Sequence, residues 1–141
     1  MSTSSAIRVA VIGAAGRMGA QTCAAVEAAD GLELVARLDV GDDVEAGVRD
    51  SGAQVAVDFT VPAVTEGNVH AALDAGAHAV VGTTGWDDAS RGRVVEHLER
   101  VNAERDGAGL GVLIAPNFGL SAVLAMTFAA KAARYFESAE V

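Results

Sequence analysis

A single cysteine, Cys23, leaves this chain without an intramolecular disulfide and without the cysteine set of a structural zinc site. Its expected place is the buried side of the first helix, as a small apolar residue. Aromatic residues make up only 4% of the sequence, so alanine and valine must build most of the core. Small side chains favour closely packed helices and buried strands. Basic residues are outnumbered, 10 against 19 acidic, for a net charge of −9. The basic residues are scattered and form no stripe, which argues against nucleic acid as a partner. No uncharged apolar run reaches membrane-spanning length. The opening "MSTSSA" has neither the basic nor the apolar region of a leader segment. A soluble, cytoplasmic protein is expected, with no membrane partner and no metal site.

What is present is alternation. The 141 residues suit one domain, and 51% hydrophobic with 21% charged residues is a globular composition. Apolar strands are expected at 7–12, 32–38, 55–59, 77–81 and 110–115. Helices are expected at 17–29, 62–75, 87–104 and 120–136, with a short turn or helix at 44–49. Pro62 opens the helix expected at 62–75 and Gly76 follows its end, the usual asymmetry of helix termini. Short apolar strands alternating with helices specify an α/β fold: a Rossmann-like, doubly wound parallel sheet with both faces covered. It forms a single domain over residues 7–141 behind a disordered tail at residues 1–6. The last helix is apolar on nearly every side and needs cover on more than one of them. Burial under the sheet would supply it; so would a further half of the protein or a subunit contact. "SAEV" after Phe136 alternates like the start of a strand. The expectation is a chain truncated before a substrate or catalytic domain.

Between the first strand and the first helix lies Gly13-Ala14-Ala15-Gly16-Arg17-Met18-Gly19. Gly13 permits a tight turn, Gly16 lets the backbone approach a pyrophosphate, and Gly19 lets helix and strand pack closely. The phosphates would lie at the helix N-terminus, where unpaired N–H groups and the helix dipole favour negative charge. Asp39, at the end of the second strand, is placed to accept hydrogen bonds from the adenosine ribose hydroxyls. The alternative is a packing turn with a solvated aspartate. Asp39 repels a 2′-phosphate, whereas Arg17 and Arg37 attract one, so either NADH or NADPH is expected to bind.

Ligands of open parallel sheets bind outside the carboxyl ends of the strands. Three more turns reach that edge: Asp58-Phe59-Thr60, Gly82-Thr83-Thr84-Gly85-Trp86 and Ala115-Pro116-Asn117-Phe118-Gly119. Gly82 and Gly85 would let a nicotinamide ribose lie against the backbone, with the Thr83 and Thr84 hydroxyls beside it. Pro116 stiffens its turn and holds Ala115 extended, so that backbone groups there can grip a carboxamide. Phe59 is placed to pack against the adenosine or diphosphate side.

In this order "VAVIGAAGRMG", "DFT", "GTTGW" and "APNFGLSAVL" resemble the dihydrodipicolinate reductase family, over nearly the whole chain after the tail. "GTTG" and "APNF" are the specific parts; the glycine loop is common to many dehydrogenases. The resemblance is to that family's N-terminal, cofactor-binding domain. It implies reduction of a cyclic dicarboxylate intermediate of diaminopimelate and lysine biosynthesis with NADH or NADPH, in a protein that is a homo-oligomer at full length. It also implies that Gly13, Gly16, Arg17 and Met18 hold the diphosphate side and Asp39 the adenosine ribose. Gly82, Thr83 and Thr84 would meet the nicotinamide ribose and ring; Ala115, Asn117 and Phe118 would hold the nicotinamide end.

The family's catalytic motif, a histidine pair followed by a lysine and then Ser-Gly-Thr, would begin just beyond Val141. Local substitutes are lacking. His70 and His97 fall within helices and are expected at the surface. His78 begins the fourth strand, at the wrong end of the sheet. Lys131, the single lysine, is mid-helix and Tyr135 is near the chain end. No catalytic residue is therefore assigned. A free-standing dinucleotide-binding sensor or regulatory module is the second reading.

Overall fold

The computed structural model describes residues 5–115 and 117–135. The expectations for residues 1–4, for Pro116 and for the segment after Tyr135 lie outside the described residues.

Five strands form one parallel sheet in the order β2-β1-β3-β4-β5: β1 Ile7–Ile12, β2 Leu32–Leu38, β3 Val55–Asp58, β4 His78–Val81 and β5 Val112–Ile114. Each crossover is helical: α1 Arg17–Ala28, α2 Val44–Ser51, α3 Pro62–Asp74 and α4 Asp88–Ala103; α5 Leu120–Ala132 follows β5. This is the doubly wound, Rossmann-like topology that the alternation specifies.

Side-chain alternation divides the sheet into two layers. Ala10 and Ile12 of β1 face a large core with Val48 of α2, Val69 and Leu73 of α3 and Val94 of α4. Val9 and Val11 face the other way, onto Cys23 and Val26 of α1. Cys23 is buried there as expected. Ala10, Ala56, Ala72 and Ala79 are all buried at the middle of the large core. With so little side chain between the layers, Leu73, Val69 and Val48 supply much of the buried area, at about 1.5–3 kcal/mol each.

The helix ends follow local chemistry. Asp43 caps α2 by accepting a hydrogen bond from Ala46 N–H, and Gly52 ends it in the left-handed region at φ 64°. Pro62 begins α3, and Gly76, at φ 89°, turns the chain out of it. Asp87 and Ser90 form a reciprocal capping box at the start of α4. β5 is shorter than expected because Asn102 takes Leu110 out of the sheet. Its amide oxygen accepts from Leu110 N–H at 2.7 Å and its amide nitrogen donates to the Leu110 carbonyl at 3.1 Å.

Two expectations, and one of the alternatives for the last helix, are corrected here. The face on which α1 lies is not covered throughout: Leu113 of β5 is 57% exposed. Nor is α5 buried under the sheet. None of its residues is buried, and Leu120 is 74% exposed. A helix apolar on every side has no single face by which a sheet can be recognised as its partner. The expected surface placement of His70 and His97 also fails. Their rings stack at a centroid distance of 4.2 Å and 5° between planes, half-buried between α3 and α4.

Candidate functional site

At the carboxyl edge the chain is pinned by backbone hydrogen bonds one residue past the strands. Phe59 N–H donates to Ile12 O at 3.0 Å, Gly82 N–H to Asp58 O at 2.9 Å, and Ala115 N–H to Val81 O at 2.9 Å. Three turns thus leave the sheet side by side, next to the glycine loop.

In that loop two glycines are required by the protein's own packing. Gly13 has φ 81°, and a Cβ there would lie 2.5 Å from the Phe59 carbonyl oxygen. A Cβ on Gly19 would lie 1.9 Å from the carbonyl oxygen of Gly13. Gly16 differs. Its nearest contact for a Cβ is the Gly13 carbonyl oxygen at 3.2 Å, and it borders the cleft. Gly16 caps α1 without a side chain, and no acidic residue occupies the first turn. The first-turn N–H groups of a helix have no intrahelical acceptor. Here the chain's own side chains do not cap them either, so the positive end of α1 is presented to the cleft mouth.

The cleft encloses about 540 Å³ and runs from Gly13 and Gly16 to Asp39 on one side and to Phe59, Thr60 and Asn68 on the other. Asp39 stands at the end of β2. Its Oδ2 accepts from Ala15 N–H at 2.6 Å and its Oδ1 from Val40 N–H at 2.8 Å. These two backbone donors hold its carboxyl below the usual carboxylate range, Val40 contributing most. Each oxygen retains a second lone pair for a ligand hydroxyl. Asp42 adds a second carboxylate to the same wall. Arg37, expected as an attractor of phosphate, is instead ion-paired with Glu27. Arg17 and Met18 are exposed beside the loop.

The other two turns differ from expectation in detail. Space above Gly82 is not open to a ribose: a Cβ there would meet the Phe59 ring at 2.0 Å. At Gly85, with φ 91°, it would meet Pro62 at 2.8 Å. These glycines admit the protein's own side chains. The Thr83 hydroxyl points inward, donating to Asp58 Oδ1 at 2.6 Å and accepting from Thr60 N–H at 2.9 Å. Thr84 is exposed. The Ala115 N–H is taken by the Val81 carbonyl. Asn117 is exposed, and Phe118 meets Phe59 edge-on at 5.4 Å.

Gly13, Gly16, Asp39 and Phe59 therefore line one cleft, while Thr83 lies beneath the rim and Thr84 and Asn117 stand outside the lining. Sequence reasoning missed the apolar wall of three exposed valines, Val40 on the turn after β2 and Val61 and Val64 at the start of α3. It placed Asp58 at the edge without giving it a role, and it missed Asn68. The available signals were an acid ending an apolar strand and exposed valines at a helix start. Among the described residues no group of histidine, cysteine or carboxylate side chains is arranged to hold a metal. His78 accepts from Gly111 N–H at the opposite edge, and no histidine, lysine or tyrosine lines the cleft.

The family model described as dihydrodipicolinate reductase, N-terminus, matches residues 7–118. The 4-hydroxy-tetrahydrodipicolinate reductase of Beutenbergia cavernae is 67% identical over 135 residues, which cover 96% of this chain and 51% of that protein. The Streptomyces coelicolor protein of the same name is 55% identical over 97% of this chain and 52% of its own length. The chain thus spans about half the length of the curated relatives it matches. Among solved structures, the dipicolinate-bound dihydrodipicolinate reductase of Paenisporosarcina sp. TG-14 superposes with a TM-score of 0.75 at 27% identity, over 93% of this chain and 55% of that one. The apo scyllo-inositol dehydrogenase of Lactobacillus casei, at 14% identity and TM-score 0.67 over 92% of this chain and 42% of its own, shares the fold.

Proposed function

The chain belongs to the dihydrodipicolinate reductase family, matched over that family's N-terminal part, and on that premise we propose that it is the NAD(P)H-binding portion of a 4-hydroxy-tetrahydrodipicolinate reductase. The whole protein would reduce a cyclic dicarboxylate of the diaminopimelate and lysine pathway, as a cytoplasmic homo-oligomer. The observation that carries the reading is the uncapped start of α1, opening with Gly16 onto a cleft that ends at Asp39.

The cleft residues fit the adenosine diphosphate half of a dinucleotide in their chemistry. Gly16 and the N–H groups of Arg17 and Met18 receive the diphosphate at the helix terminus. Asp39, already ionised and oriented by two backbone donors, accepts from the adenosine ribose. Val40, Val61 and Val64 offer an apolar bed for the flat adenine. The nicotinamide half extends past the Phe59 ring, which fills the space over Gly82, toward Thr84, Ala115, Asn117 and Phe118. Phe118, edge-on to Phe59, supplies an aromatic ledge there, and the Ala115 carbonyl accepts from the carboxamide. The reduced nicotinamide supplies a hydride. The chain's part is to bind and orient it, because the cleft has no histidine, lysine or tyrosine to give a proton and no arginine or lysine to grip a dicarboxylate.

Trp86 follows Gly85 on the β4 turn and is the single tryptophan. Titration of this chain with NADH or NADPH is expected to quench its emission, while added cyclic dicarboxylate leaves the reduced cofactor's absorbance at 340 nm, a property of any dihydronicotinamide, unchanged. An unaltered Trp86 spectrum at roughly millimolar cofactor, beyond the usual range of such affinities, would overturn the assignment.

A further inference from the structure

The carboxylate of Asp58 ends β3 at 2% exposure and is joined by none of the ion pairs among the described residues. It is satisfied entirely by neutral donors. Oδ1 accepts from the hydroxyls of Thr83 at 2.6 Å, Thr60 at 2.9 Å and Thr65 at 3.0 Å, and from Thr60 N–H at 3.2 Å. Oδ2 accepts from Asn68 Nδ2 at 2.7 Å and from the Thr60 hydroxyl at 3.1 Å. A buried carboxylate is costly unless donors replace its water, and a fully satisfied buried network fixes one geometry. These donors come from three places: the turn after β3, helix α3, and the turn after β4.

We propose that Asp58 is a positioning residue of the dinucleotide site, locking the turn after β3 to the turn after β4 through Thr60 and Thr83. The proposal rests on the NAD(P)H reading above. The Thr83 hydroxyl is held from both sides, donating to Asp58 and accepting from Thr60 N–H, so neither turn can shift alone. Beyond this ring, Thr60 and Asn68 line the cleft, and Phe59, between Asp58 and Thr60, lays its ring over Gly82. The Thr83 carbonyl accepts from Trp86 Nε1 at 3.0 Å, which ties the whole β4 turn to the same point. Asp58 touches no ligand position itself. It sets the distance between the two turns that a whole dinucleotide must span, whereas an adenosine diphosphate, lying on α1, Asp39, Val40, Val61 and Val64, does not reach the turn after β4.

The test uses Asp58→Asn, Thr83→Val and Thr83→Ser in the 141-residue chain. Asparagine keeps the volume but turns one acceptor oxygen into a donor facing donors. Affinities for NADH and for ADP are measured by calorimetry. The near-ultraviolet dichroism of Trp86 is recorded without ligand, with far-ultraviolet dichroism as the fold control. Asp58→Asn and Thr83→Val are each expected to weaken NADH tenfold or more, to weaken ADP less than about threefold, and to alter the Trp86 signal. Their effects on NADH are not additive when combined. Thr83→Ser, which keeps the hydroxyl, recovers at least half of the loss. Equal losses for NADH and ADP, or full additivity, would overturn the positioning role. If Asp58→Asn does not fold, the Thr83 pair decides: valine and serine variants that behave alike overturn the proposal. Absence of NADH binding by the unaltered chain refutes the NAD(P)H reading instead, and an unchanged Trp86 signal in Thr83→Val then independently refutes the link through Asp58.

Discussion

Asp39 and Gly16 have opposite relations to the cleft. Asp39 is a carboxylate with two backbone donors and spare lone pairs, on a wall it shares with Asp42. Asp39→Ala removes an acceptor for the ribose and the tether of the glycine loop, but also a charge that repels a 2′-phosphate. The expected result is about tenfold weaker NADH binding, from roughly 1.5 kcal/mol for a charged hydrogen bond, with a smaller loss for NADPH. Parallel titrations check it; equal losses would contradict the role. Gly16 borders the cleft, and a Cβ there meets the Gly13 carbonyl oxygen at 3.2 Å, a tight contact but far looser than those at Gly13 and Gly19. Gly16→Val projects into the cleft, so dinucleotide binding is expected to vanish with some loss of melting temperature. Binding that survives would reduce the loop to a packing turn. A buried hydroxyl such as that of Thr83 looks the same in a sequence as an exposed one like that of Thr84. Which of them faces a ligand depends on Asp58, 25 residues away from Thr83.

At the scale of elements, α3 carries the core on one side and a histidine stack on the other. Leu73 is fully buried among small residues that cannot collapse into its place. Leu73→Ala is expected to cost about 2–5 kcal/mol in denaturant unfolding, with little change in the denaturant slope. His70 lies against His97 of α4, with Glu66 and Asp74 of its own helix and Arg100 of α4 nearby. Burial, and then His97, push its pKa below the ordinary histidine value of about 6.5. A depressed histidine pKa means that the unfolded chain binds the proton more readily. The stability this represents is complete above the unfolded value and is lost as pH falls through it toward the folded one. The melting temperature is therefore expected to fall between about pH 7 and pH 5, and His70→Phe, which keeps a ring on His97, to flatten that fall. Strands and helices were largely legible because their apolar periods and caps are local: β1 and β2 have the expected bounds, and Pro62 and Gly76 punctuate α3 as read. β5 was overestimated because the Asn102 side chain, eight residues away, competes for the Leu110 backbone.

For the whole molecule, the sheet edge was readable and the covering of its faces was not. The candidate turns leave one rim because a parallel sheet sends every strand the same way, so counting strands points to that rim. The cover of α5 could not be read, since an evenly apolar helix names no partner. Leu120, Met126 and Phe128 remain exposed in this chain. Binding and chemistry also separate at this scale. Among the described residues the cleft supplies a helix dipole, two carboxylates and the Phe59 ring, and no histidine, lysine or tyrosine. Cofactor binding without turnover is thus the expected behaviour, and the Trp86 titration with the absorbance control tests both halves.

The bond from Ala15 N–H to Asp39 has a kinetic consequence. Because the loop is already fastened to the end of β2, a nucleotide meets a surface shaped before it arrives and no segment must order around it. Capture then proceeds at the pace of diffusional encounter, and differences among nucleotides are expressed in how long each remains.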